Sequence, residues 1–331
     1  MDRVRHCLAA IVLLLAMPSV AAAAAAAADA CTKPASTTST TVLAARVAAI
    51  ACRENILWYS PFIDAGGRLA SMTVAEAETT YLHDQRTPTW ARVAEYWRGS
   101  GLLWGMRDAP GAAACGLAGD AGGSIPACRA FLVDKPWSAA FVSYVMVQAG
   151  VPGFRASPSH IDYVRDAWQH PDSSPYLFAD PDEGKPLAGD LLCFVRGAAA
   201  VSGHAGLQAF LAADPGAGLA MHCDIAVGTS ARGERLYLVG GNVLQGVTLR
   251  TLNLNREGRL WALPRGGDPG CGPDNPDACT FNRQNWVVLL KLKNLRPLPP
   301  PMPTAPAVPA QCCVACVLGS GIPRCPASRT P

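Results

Sequence analysis

Apolar and polar positions alternate with a helical period through the first half of the chain and with a strand period through the second. Segment 41–52 sets Leu43, Val47 and Ile50 at helical spacing, and 74–81 and 89–97 predict two more helices. Residues 98–130 are rich in Gly and Ala and predict an irregular loop. From Ser138 an apolar stripe of Phe141, Val142, Val145, Met146 and Ala149 predicts a helix that stops at Gly150 as its C-cap. A further helix begins near Ser159, a competent N-cap, with Ile161, Val164 and Trp168 on its apolar face. The period then changes to two, and 189–195, 222–229, 235–243, 246–255 and 286–293 read as strands. Helices followed by a run of strands predict an α+β domain, its helices packed on one face of a mainly antiparallel sheet.

Composition and the two ends sharpen this picture. Arg3 and Arg5, the apolar run from Cys7 to Met17 and an alanine tract ending at Ala30 predict an export signal over 1–30. The mature chain is then periplasmic or secreted, and no later apolar run is long enough to span a membrane. Residues 31–295 read as a single domain with N-terminal helices, and 296–331 as a Pro-rich, Cys-containing tail. A net charge of +3 with no Lys/Arg stripe excludes nucleic acid as the expected partner.

Twelve of the thirteen cysteines lie beyond residue 30, and in an exported chain disulfides are the expected use. Cys115 with Cys128 and Cys271 with Cys279 bracket loops, and Cys31 and Cys52 flank the first predicted helix. Cys193 and Cys223 lie within strands, where a cross-strand disulfide or two buried thiols are both open, and the exported setting favours the disulfide. Cys312, Cys313, Cys316 and Cys325 lack a companion His and zinc-like spacing, so neither a metal nor a cofactor is expected.

Three residues could carry chemistry together. Ser138 opens an apolar helix, where unpaired amides and the macrodipole favour an anionic nucleophile and can hold an oxyanion. Read alone, it is an ordinary N-cap. His222 starts a strand, and strand alternation puts His222, Asp224 and Ala226 on one face, with Cys223, Ile225 and Val227 on the other. If the first face looks at the helix mouth, His222 is the base for Ser138. Asn242, after Gly240-Gly241, can then fix the tautomer of His222. Asp224 is a rival orienter, but two residues along one strand are about 6.6 Å apart in rise, so a residue from the next strand is better placed. Trp137, His160 and Asp224 are assigned to the same cleft as binding residues. His204, in Gly203-His204-Ala205-Gly206, has helical neighbours and ranks below His222, and Asp190 reads as a turn-pinning residue.

Five segments, in order, carry a family resemblance: Pro136-Trp-Ser-Ala-Ala-Phe141, Ser159-His-Ile-Asp-Tyr163, Gly189-Asp-Leu-Leu-Cys193 with Arg196, His222-Cys-Asp224-Ile, and Gly240-Gly-Asn242-Val. With them the chain resembles a bacterial domain-of-unknown-function family, number twenty-two seventy-two by name, over roughly residues 45 to 293. It is also distantly similar to NlpC-type and CHAP-type cell-wall peptidases and amidases. That likeness implies a papain-like core, cleavage of amide or ester bonds with peptidoglycan or another peptide as substrate, and Ser138, His222 and Asn242 as nucleophile, base and orienter. Ser138 stands where those enzymes carry Cys. A thiolate site given a hydroxyl loses much of its nucleophilicity, so the alternative implied is a cell-wall or peptide binding module that no longer cuts.

Overall fold

The computed structural model describes residues 31, 41–116, 125–197, 201–265 and 270–299. The expected export signal and most of the tail lie outside these residues. Among the described residues, eight helices and eight strands form an α+β fold.

Helix α1 (Val42–Leu57) is capped by Thr41, whose side chain accepts from Ala44 N–H. After the short strands β1 (Phe62–Ile63) and β2 (Leu69–Ala70) come α2 (Thr89–Gly99), α3 (Leu102–Gly105), α4 (Ala112–Gly116) and α5 (Ile125–Asp134). The predicted irregular loop at 98–130 therefore contains three short helices, and Cys115–Cys128 bonds the last two together. The helix expected at 74–81 is absent. Isolated helices this short are marginal in water, and here Glu76 is turned into the interior to accept from Trp137 Nε1–H.

In the second half α6 (Ser138–Ala149), α7 (His160–Gln169), β4 (Leu191–Val195), β5 (Met221–Thr229), β6 (Arg235–Val243), β7 (Gly246–Asn253) and β8 (Asn285–Leu292) lie at the predicted positions. The structure adds β3 (Tyr176–Ala179) after α7 and α8 (Gly203–Ala213) around His204. Helix α6 ends at Gly150, whose left-handed backbone (φ 72°) lets its N–H return to the last carbonyls. The strands form one mixed sheet in the order β2-β1-β7-β6-β5-β4-β8-β3, with β1 parallel to β7 and every other pair antiparallel. Asp190 pins the turn before β4, as expected, taking the amides of Leu187 and Leu292 and pairing with Lys291.

The sheet has two unlike faces. Cys223, Ile225, Val227, Val239 and Leu249 join the large core with Val47 of α1 and Phe141 and Val145 of α6. Leu192, Phe194, Ala226, Leu238 and Trp286 form a smaller cluster on the other face, closed by Leu254 and Leu260 beyond the end of β7. Disulfides Cys31–Cys52, Cys193–Cys223 and Cys271–Cys279 also form, so every pair anticipated from the sequence is present. These bonds are compatible with an extracellular setting. Among the described residues no helix is long and apolar enough to cross a membrane.

Candidate functional site

The site is built on the N-terminal tip of α6, and the aromatic core fixes that tip. Trp137, its N-cap residue, is fully buried and stacks against Trp58 (5.8 Å) and Tyr96 (5.4 Å). Its indole N–H donates to Glu76 Oε2 at 2.5 Å. With its amide oriented to satisfy both neighbours, Asn242 donates to Glu76 Oε2 (2.9 Å) and accepts from Trp137 N–H (3.2 Å). Burial raises the Glu76 pKa, and the Trp137 hydrogen bond opposes that shift. The first hydrogen bond of α6 runs from Phe141 N–H to Trp137 O, so the amides of Ser138, Ala139 and Ala140 come before the helix's own ladder begins.

Ser138 is the first helical residue rather than the cap, and its partner is His160. Ser138 Oγ lies 2.7 Å from His160 Nε2, and both residues are 4% exposed. His160 opens α7, where the N-cap Ser159 makes no side-chain cap; its amide donates instead to Ser157 Oγ. One turn on, the Tyr163 hydroxyl bonds His160 Nδ1, as i,i+3 spacing on a helix allows. Burial holds the His160 pKa well below the ordinary imidazole value. The His222 ring and the Arg196 charge push it the same way, and Asp224 opposes them. Tyr163 is pushed well above the usual phenol range, mainly by burial, and stays protonated.

His222 faces differently from the expectation. Alternation along β5 does group His222, Asp224 and Ala226, but Cys223, Ile225 and Val227 are the residues that meet the helices. His222 pairs across the sheet with Phe194, and Asp224 with Leu192, on the smaller-cluster face. The register of β5 with β6 runs only from Ile225–Val239 to Thr229–Leu236. Beyond it lie Gly240 and Gly241, and the lack of side chains there makes room on both faces. A Cβ at 240 would stand 1.9 Å from Asp224 Oδ1 and 3.0 Å from His222 Nε2, and one at 241 would stand 2.4 Å from the Phe141 side chain. The His222 ring lies 5.3 Å from the His160 ring, centroid to centroid.

The hydrogen-bond partner of His222 is Asp224, and Asn242 bonds Glu76 and Trp137 instead. His222 Nε2 and Asp224 Oδ1 are 2.7 Å apart, because the imidazole is long enough to close the gap along its own strand. Asp224 Oδ2 accepts from Arg250 Nε–H at 2.8 Å, and Arg250 also donates to Asn282 Oδ1 and to Phe281 O. All three side chains of this His–Asp–Arg row are buried. Burial alone would raise the Asp224 pKa, but Arg250 and His222 hold it far below the usual carboxylate range.

A cavity of about 650 Å³ opens over this row, with Phe194, Arg196, His222, Asn242, Arg250 and Phe281 among its walls. Of the sequence-selected residues, the structure brings Ser138 to His160, and His222 to Asp224 and the cavity. Asn242 lines the cavity with its amide turned to the helix tip, and Trp137 stands in the helix-side core. His204 lies apart on α8, bonded to Val287 O. Sequence reasoning missed Tyr163, Glu76 and Arg250 as parts of the site. Arg250 carried a readable signal, since a charged residue amid Val247, Leu249 and Leu252 of a strand needs a buried counter-charge. Among the described residues, no group of His, Cys, Asp or Glu is arranged to hold a metal ion.

No curated protein and no solved structure matches this chain. Residues 84–292 match the bacterial family described as "Uncharacterized protein conserved in bacteria (DUF2272)", and the match takes in all five sequence motifs and both histidines of the site. The chain belongs to that family.

Proposed function

We propose that the chain is a hydrolase of amide or ester bonds, with Ser138 as nucleophile and His160, rather than His222, as its base. The observation that carries this reading is the 2.7 Å contact between Ser138 Oγ and His160 Nε2 at a helix tip whose first amides precede the helical ladder. In the reaction, His160 Nε2 takes the Ser138 hydroxyl proton as Oγ adds to the carbonyl carbon. The amides at the tip of α6 hold the resulting oxyanion. Collapse expels the amine or alcohol, which leaves with the proton from His160, and water then cleaves the acyl-serine by the same path in reverse. This requires the tautomer with hydrogen on Nδ1, and Tyr163 supplies it when its hydroxyl oxygen accepts from Nδ1–H. The chain order of Ser138 on a helix with His222 and Asn242 on later strands resembles that of papain-like NlpC and CHAP enzymes, but the proposed base, His160, opens a helix; cell-wall peptide is the substrate class that such kinship implies.

One observation favours a second reading, a peptide-binding module without catalysis. Ser138 is 4% exposed and does not line the cavity, which opens on His222 and Asn242 instead. A fluorophosphonate probe separates the two. Catalysis requires labelling of the wild type that is abolished in Ser138→Ala and in His160→Gln, with release of fragments from peptidoglycan or a model ester. Wild-type protein that is folded, unlabelled and inert yet retained on cell wall establishes the binding module. Ser138→Cys adds a sharper arm, because a thiol at 138 gains activity only if the site geometry is competent.

A further inference from the structure

The cavity over the His222–Asp224–Arg250 row has a charge bias that the proposed reaction does not use. Four arginines line it, at 196, 250, 265 and 283, and among the described residues no Asp or Glu does. Arg250 and Arg265 each hold an ion pair of their own. Arg250 is bonded to Asp224, Asn282 and the Phe281 carbonyl, and Arg265 pairs with Asp182. Arg196 is exposed, has no ion pair among the described residues, and is near enough to His160 to lower its pKa. In the remaining wall Phe194, Val243 and Leu244 offer apolar surface, while the side-chain amides of Asn242 and Asn285 are engaged within the fold.

We infer that this cavity binds a short acyl-peptide by its terminal carboxylate, with Arg196 as the receiving cation. A guanidinium presents parallel N–H donors that match the two oxygens of a carboxylate, and a wall without acids leaves that attraction unopposed. The apolar patches accept the side chains of a peptide body. The inference rests on the proposed function for its substrate class, since Arg196 and His222 share the cavity wall and the His222 ring is in contact with that of His160. Arg196 would act as a specificity residue and take no part in bond cleavage.

Binding can be read without turnover. Full-length Ser138→Ala protein is titrated calorimetrically with N-acetyl-alanyl-alanine, its C-terminal amide and inorganic phosphate. The acid is expected to bind about tenfold more tightly than the amide, in line with a hydrogen bond to a charged group. Arg196→Gln should erase that difference, and Arg232→Gln, at a distant exposed arginine, should preserve it. Equal binding of acid and amide, no binding of either, or an acid preference that survives Arg196→Gln each overturns the inference. Phosphate binding as tight as that of the acid overturns the choice of carboxylate in favour of a general anion site. Fluorophosphonate labelling is run separately on the wild type. An unlabelled serine with an intact acid preference defeats the hydrolase reading alone, and a labelled serine with no acid preference defeats this inference alone.

Discussion

In the helix layer, buried charge is paired within a closed aromatic shell: Arg92 meets Glu54, Tyr96 donates to the same carboxylate, and Trp58 donates to Tyr96. On the opposite face of the sheet, the His222–Asp224–Arg250 row is equally buried but forms the floor of an open cavity with further arginines around it. The first arrangement fixes helices to one another. The second lies beneath a cavity. Between the two lies the Gly240-Gly241 gap, where His160 from the helix side and His222 from the cavity side come within 5.3 Å. Polar groups are thus buried on both faces, and what distinguishes the second is the cavity that adjoins it rather than the residue types.

The largest test of this contrast is Asp224→Ala. It leaves Arg250 buried without its carboxylate, and breaking such a pair costs about 3–5 kcal/mol. Urea unfolding should register that loss; a change below about 1 kcal/mol would mean Arg250 is satisfied by water from the cavity. Next comes Gly241→Ala, which forces a methyl against the Phe141 ring and should cost about 1–3 kcal/mol by the same measurement. A neutral result would show that α6 moves freely over β6.

The His160 assignment can also be tested by pH. Because the folded-state pKa of His160 lies below its ordinary value of 6.5, the unfolded chain binds the proton more readily. Stability should therefore fall as pH drops from about 6.5 towards the folded-state value, and His160→Gln should flatten that limb. Asp224 shifts in the direction that stabilises above its ordinary 3.8, so its contribution is lost only in stronger acid. A melting-temperature profile of wild type and His160→Gln that coincide between pH 7 and 5 would contradict the assignment. The smallest effect is expected for Tyr163→Phe, about 1 kcal/mol for one hydrogen bond. If Tyr163 sets the His160 tautomer, its loss should slow fluorophosphonate labelling of Ser138 far more than that small destabilisation suggests.

Much of this was readable before any coordinates. The helix from Ser138, its Gly150 cap and the five longer strands follow from local period, whereas the short strands β1, β2 and β3 fall outside that reading and the Cys193–Cys223 bond rests on the expected exported setting. Two readings failed for tertiary reasons. Within 74–81 Val74 is buried but Tyr81 is exposed, and Glu76 is committed to Trp137 and Asn242 rather than to a helix surface. The argument from strand rise also compared backbone positions, whereas side-chain length closes the gap between His222 and Asp224.

By itself the sequence determined the family, the α+β class and the grouping of His222 with Asp224 and Ala226, because alternation along one strand is a local property of backbone geometry. It could not determine which side of the sheet that group would occupy, since a period of two is unchanged when the strand is turned over. That was decided by tertiary packing: Cys223, Ile225 and Val227 offered the more apolar surface to α1 and α6, which sent His222 to the other face and left His160 as the imidazole in contact with Ser138.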